Sequence, residues 1–245
     1  MNESNDIIYG IRTLQEAIIA GKTISKVMFK KGLSGDQFHA LLRIVQENNI
    51  PFQYVPIEKL NRTTRKNHQG VIAFTTPVEF QKIEDIIPFC FENGKTPMVL
   101  LLDEISDVRN FGAICRTAEC AGVDAVVIPD KGAAAINSDA VKTSAGALSV
   151  IPVCRTASLK STIRFLKDSG LQIVAADEKS DKNFYETDLT GPIAFLMGSE
   201  DRGIHPENLR YADHIVKIPM QGKIQSLNVS VAAGIMIFDA VRQRG

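Results

Sequence analysis

Three short polar segments of this 245-residue chain could do chemistry, and each follows an apolar run. After 98–102 comes 103–112, with Asn110 and Gly112, leading into a stretch that carries Arg116. After 193–197 comes Gly198-Ser199-Glu200-Asp201-Arg202-Gly203, and after 214–218 comes 219–228, with Ser226, Leu227 and Asn228. Ligands of an open parallel sheet bind beyond the carboxyl ends of its strands, so three such loops could line one crevice. Arg116 sits among Ala113, Ile114, Ala118 and Ala121, and a guanidinium there needs an anion or a solvated edge; a core salt bridge is the plainer alternative. Gly198 and Gly203 suit either a tight turn with positive φ or a backbone that approaches a ligand closely. Asn110 and Ser226 could each be no more than a helix N-cap, and Gly122 a helix stop. Asn228, in the first turn of the last helix, is a poor helix former with no obvious core role.

Other chemistries are excluded by what the chain lacks. It has no GxxxxGK[ST] loop, no GxGxxG after the first strand and no G-x-S-x-G elbow, which removes kinase, dinucleotide and hydrolase readings. Four cysteines and four histidines show no metal-binding spacing, so no metal is expected and the thiols read as reduced. Apolar residues make up 44% and charged residues 23%, as in ordinary globular proteins. No stretch reads as a membrane span or a secretory leader, which points to the cytoplasm. The net charge is zero, but residues 1–76 hold ten Lys and Arg against six Asp and Glu, leaving an acidic remainder. A basic front on an acidic body is weak evidence for a polyanion partner.

Positioning those loops is the task of the surrounding elements. The pattern predicts a small α/β unit over 1–76, with helices at 11–20 and 36–48, strands at 27–29, 51–55 and 71–75, and a basic loop at 61–69. Residues 77–95 read as a connection, helical around 83–91. From 96 to 245 short apolar strands alternate with helices, at 111–121, 159–169 and 205–211, which predicts an α/β domain with a mainly parallel sheet. The last helix, 227–242, is expected to pack on the sheet through Val231, Ile235, Phe238 and Val241.

Taken together, Asn110-Phe111-Gly112 through Arg116 to Gly122, Phe195 through Gly198 and Glu200 to Gly203, and Ile218-Pro219-Met220 followed by Ser226-Leu227-Asn228 resemble the motifs of the SpoU (TrmH) family in the SPOUT superfamily of RNA methyltransferases. Lys142 to Ala147 fits between the first two. Tyr9-Gly10-Ile11 and His68-Gln69-Gly70-Val71 are similar to that family's substrate-binding domain, itself similar to L30e-like RNA binders. Within the family the chain looks most like the subgroup acting on a guanosine of 23S rRNA. The resemblance implies a C-terminal trefoil knot, a homodimer with active sites at the subunit interface, and S-adenosylmethionine as cofactor. The second motif departs from many relatives at Asp201 and Arg202, whose contacts stay open.

By the same carry-over, Arg116, Asn110, Glu200, Ser226 and Asn228 are the expected catalytic residues. Backbone groups of Gly198, Ile218 and Leu227 would hold the cofactor, with Met197, Ser199, Pro219 and Met220 lining its pocket. An arginine stays protonated, so Arg116 is expected to bind the target's phosphate and steady the developing O2′ anion, while the phosphate, a water or Glu200 takes the proton. Arg62, Arg65 and Lys66, with Lys59 and His68, are the expected RNA-binding residues. Two other readings stand beside this one: a tRNA ribose 2′-O-methyltransferase, and an RNA-binding protein of the same fold without catalysis.

Overall fold

The computed structural model of the chain describes residues 7–224 and 226–245. It divides into two compact units, one running to Glu79 and including Ile136–Ser138, the other made of Phe80–Ala135 and Asp139–Gly245.

In the first unit β1 (Ile7–Tyr9), β4 (Val71–Thr75), β2 (Ile24–Lys30) and β3 (Phe52–Val55) form a four-stranded sheet in that order. The β1–β4 and β2–β4 pairs are antiparallel and β2–β3 is parallel. Side chains alternate across a strand, and the alternation sorts this core into two faces. Val27, Phe29, Val71 and Ala73 pack with Leu14 and Ala17 of α1 (Ile11–Ile19) and with Phe38, Leu41 and Val45 of α2 (Asp36–Glu47). Met28 and Ile72 face the other way, onto Leu60 of α3 (Ile57–Thr63). The sequence pattern does not predict α3: the first third of the anticipated basic loop is helical, so Arg62 stands on a helix.

The second unit is built on seven strands in the order β11-β9-β10-β6-β7-β8-β5, and every pairing is parallel. They are β5 (Phe80–Gln81), β6 (Met98–Asp103), β7 (Ala125–Pro129), β8 (Val153–Thr156), β9 (Gln172–Ala176), β10 (Ile193–Gly198) and β11 (His214–Val216). Five of them match apolar runs in the sequence; β8 and the edge strand β5 are short strands that the pattern does not reveal. The stretch 77–95 is not a mere connection. It supplies β5 and α4 (Ile83–Glu92), whose Ile83, Ile86, Ile87 and Cys90 enter the core of this unit beside Leu159, Ile163 and Leu166 of α7 (Leu159–Asp168). The Arg155 guanidinium of β8 lies 3.7 Å over the Phe80 ring, and burial pulls its pKa down to about 10.

The remaining helices are α5 (Val108–Cys120), α6 (Ser138–Thr143), α8 (Pro206–Leu209) and α9 (Val229–Arg244). Two expected caps are corrected. Asp107, not Asn110, caps α5, its side chain accepting from the Asn110 N–H at 2.8 Å. Asn228, not Ser226, caps α9, accepting from the Ser230 N–H at 2.9 Å. The buried face of α9 is also different from the expected one. Val229, Ala233, Met236, Ile237 and Ala240 are buried, while Val231 and Phe238 are 49% and 48% exposed. Small residues make the contact because α9 lies close on α5, with Gly234 facing Thr117. At its end Arg244 donates to the carbonyls of Leu189, Gly191, Thr96 and Pro97, and burial lowers its pKa. Among the described residues no helix is long and apolar enough to cross a membrane.

The core role of α4 gives a test. A fragment of residues 80–245 should unfold cooperatively, whereas 96–245, stripped of three buried isoleucines, should be less stable by about 5 kcal/mol or more. Denaturant melts followed by circular dichroism would check this, and equal midpoints for the two fragments would refute it.

Candidate active site and nucleic-acid interface

The site begins where β6 and β10 end. They run in register from Met98 opposite Ile193 to Asp103 opposite Gly198, which brings their outgoing loops side by side. Asp103 is buried and accepts from the backbone N–H of His205 at 2.8 Å and from the Asn208 amide at 2.9 Å. It therefore ties the far end of the β10 loop back to β6. An acidic residue closing an otherwise apolar strand is the signal that could have marked it in the sequence.

Between these anchors the loop folds into a tight turn. Ser199 and Gly203 exchange backbone hydrogen bonds at 3.2 and 2.8 Å, and the Ser199 hydroxyl accepts from the Arg202 N–H at 3.3 Å. The two glycines serve different ends. Gly203 has φ +69°, the left-handed region, with open space around it. At Gly198 a Cβ would lie 2.1 Å from the Gly203 carbonyl carbon and 2.2 Å from the Ile204 nitrogen. Gly198 is thus needed for close backbone approach rather than for its φ.

The turn projects Glu200, and here the three loops meet. Glu200 Oε1 accepts from Asn110 Nδ2 at 2.9 Å and from Asn228 Nδ2 at 2.7 Å, and Asn228 Nδ2 also lies 2.9 Å from Asn110 Oδ1. Asn228 Oδ1 is engaged by the Ser230 N–H and hydroxyl, which fixes the orientation of its amide. Ser230 is a residue the sequence did not single out. Ser226 is exposed and lies outside this triangle of hydrogen bonds.

Arg116 is not part of the triangle either. It is exposed on α5 and, among the described residues, has no hydrogen-bond or ion-pair partner, so the core salt bridge is ruled out. Six residues along an α-helix amount to about 9 Å of rise and roughly 240° of rotation from Asn110.

The segment before α9 holds the other expected residues. Met197 is buried; Ser199, Ile218, Pro219 and Met220 are half-buried, and Leu227 is exposed. Gln225 lies outside the described residues. Among the described residues, the backbone polar groups of Ile218 and Leu227 have no partner in the chain. Apolar side chains beside unsatisfied backbone donors and acceptors suit the flat, polar-edged adenine of a nucleoside cofactor. Among the described residues no group of acidic, histidine and cysteine side chains could hold a metal ion.

In the first unit Arg62, Arg65 and Lys66 are exposed, and the Lys66 ammonium lies 5.6 Å over the Tyr9 ring. His68 differs from expectation. It is buried, its Nδ1 accepting from the Gly70 N–H at 3.0 Å and its Nε2 facing Asn61 Oδ1 at 2.9 Å. It braces the loop from within and does not stand on the surface.

The two glycines of the turn can be separated by experiment. Gly198→Ala should cost about 1–3 kcal/mol or more by forcing backbone apart, and should loosen the turn that carries Glu200. Gly203→Ala should cost about 1–2 kcal/mol, the penalty of a left-handed residue. Urea melts of both would measure this, and a neutral Gly198→Ala would contradict the close approach.

Comparison with known proteins agrees with this geometry. Residues 97–238 match the SpoU rRNA Methylase family, and residues 7–81 match the domain described as RNA 2′-O ribose methyltransferase substrate binding. The 23S rRNA (guanosine-2′-O-)-methyltransferase RlmB of Photobacterium profundum is 36% identical over 244 residues, covering 98% of this chain and 99% of that protein. The corresponding RlmB of Pseudomonas putida is 34% identical over 239 residues, covering 97% and 96%. The AdoMet-bound rRNA methyltransferase from Sinorhizobium meliloti is similar in structure, with a TM-score of 0.62 and 25% identity over 97% of this chain and 87% of that one. With both family domains matched in order and the three loops joined at Glu200, the chain belongs to the SpoU rRNA methylase family.

Proposed function

We propose that the second unit transfers the methyl group of S-adenosylmethionine to a ribose 2′-hydroxyl of RNA bound by the first, and that this RNA is 23S rRNA methylated at a guanosine in the cytoplasm. The observation that carries the reading is the hydrogen-bonded triangle of Asn110, Glu200 and Asn228, which gathers the loops after three parallel strands into one crevice. The choice of 23S rRNA is supported by the near full-length match to the RlmB proteins.

S-adenosylmethionine supplies, when bound, a methyl group activated on a sulfonium. Backbone groups of Gly198, Ile218 and Leu227 would hold its adenine and ribose, and Met197, Ser199, Pro219 and Met220 would line its pocket. Two amides hold Glu200 Oε1, which leaves Oε2 directed by that pair and open to receive the 2′-hydroxyl proton. Ser226, two residues before Asn228 in the chain, positions the ribose. Arg116, exposed and without a partner among the described residues, binds the phosphate next to the target and donates to O2′ as negative charge develops.

Because Arg116 and Asn110 point in different directions from α5, the reading extends to a homodimer in which Arg116 serves the partner's site. The exposed apolar Val231 and Phe238, seven residues apart on one face of α9, support such an interface. The trefoil knot belongs to the same proposal, supported by the way α9 packs against α5 and β10 after β11.

Two experiments test these assignments. Arg116→Ala should lose about two orders of magnitude or more in single-turnover methylation of 23S rRNA, with little change in melting temperature or cofactor affinity. Arg116→Lys should also be poor, since an ammonium lacks the planar fork. An unstable but active Arg116→Ala would remove the catalytic role. Replacing Arg62, Arg65 and Lys66 together by Ala should weaken RNA binding and flatten its dependence on salt; an unchanged slope would move the RNA elsewhere. Mapping ribose methylation in rRNA and tRNA with and without the gene decides between 23S rRNA and a tRNA target.

A further inference from the structure

Within the first unit an open pocket of about 390 Å³ lies between the end of β2, α3 and the loop before β4. Leu33 and Ile57 give it apolar wall, and Lys30, Asn61, Lys66, Asn67 and Gln69 give it polar rim. Two of those rim amides have orientations that their partners force. His68 Nδ1 accepts the Gly70 N–H, so its Nε2 carries the ring proton and Asn61 must face it with Oδ1. Gln69 Oε1 accepts the backbone N–H of Ile11 at 3.3 Å. In both side chains the oxygen accepts a bond from the chain, which leaves the NH₂ end of each free to donate outward. Gln69 is held for this in the left-handed region, at φ 51°, a conformation that costs a non-glycine residue stability and that recurs at ligand sites.

Two amide donors and two lysine cations, beside the single further amide of Asn67, favour a ligand edge made of acceptors. Guanine is the base that sets two acceptors, O6 and N7, side by side on one edge, whereas adenine and cytosine place an amino donor there. Unpaired bases in RNA are read on such edges while their faces rest on flat or apolar side chains. We propose that this pocket binds one unpaired guanine of the RNA substrate, distinct from the nucleotide that is methylated, with Asn61 and Gln69 donating to O6 and N7 and Lys30 meeting the adjacent phosphate. The inference rests on the reading that the first unit binds RNA.

The test uses fluorescence anisotropy of the full chain with labelled RNA heptamers AAAGAAA and AAAAAAA. The guanine heptamer should bind about tenfold tighter or better, and 7-deazaguanosine at the central position should remove most of that preference. Asn61→Asp and Gln69→Glu keep the inward oxygen, and with it the fold, but turn the outward donor into an acceptor. In each, the ratio of the two affinities should fall towards one, a readout that general repulsion of RNA would not move. Equal binding of the two heptamers by the wild-type chain, or an undiminished ratio in both carboxylate variants, would overturn the proposal. Methyl transfer from S-adenosylmethionine to unmodified 23S rRNA, measured alongside, tests the underlying activity separately. Transfer without guanine preference removes the pocket alone, and guanine preference without transfer removes the activity and leaves the pocket standing.

Discussion

Parallel pairing of β6 with β10 is the constraint on which the site depends. Because the register is fixed from Met98 and Ile193 to Asp103 and Gly198, both strands deliver their loops at the same height. A one-residue slip would turn every side chain of β10 to the opposite face and exchange its two sets of core contacts. Both strands are buried along their whole length, save the half-exposed Gly198, so the slip is expensive. Asp103 then adds a local tie, holding His205 and Asn208 so that the turn between Ser199 and Gly203 is anchored at both ends.

The polar triangle at Glu200 is exposed, and hydrogen bonds in reach of water add little to global stability. Its importance is positional. Asn110 stands in the first turn of α5 and Asn228 caps α9, so two helix starts fix one carboxylate oxygen. The caps themselves, Asp107 for α5 and the Asn228 side chain for α9, favour one starting residue for each helix. A crevice built this way is held by elements of the rigid scaffold and not by the loops alone.

Much of this was legible in the residues, for reasons that also explain what was not. Long apolar runs such as 98–102 and 193–197 announce buried parallel strands, and 71–75 is a strand at the bounds the sequence suggests. β8 is hidden because only Val153 and Cys154 of its four residues are buried, and β5 because it has two residues. The face of α9 is not legible from its large side chains: Val231 and Phe238 point outwards, and the helix is seated through Val229, Ala233, Met236, Ile237 and Ala240, with Gly234 against Thr117 of α5. The members of the site were recognisable from their motifs, but no spacing in the chain reveals that Asn110 and Asn228 share one carboxylate, or that Arg116 stands apart from both.

The bonds that close the second unit join residues far apart in the chain. Asn228 meets Asn110 across 118 positions, and Arg244 meets Thr96 across 148. Closing loops of that length has an entropic cost that must be met before the contacts reward it, and folds dominated by such contacts form slowly. The carboxyl end of β6 and the site beside it are therefore expected to form late. Any chain in which these contacts are still open leaves the apolar sheet without the cover of α9, and exposed apolar sheet invites aggregation.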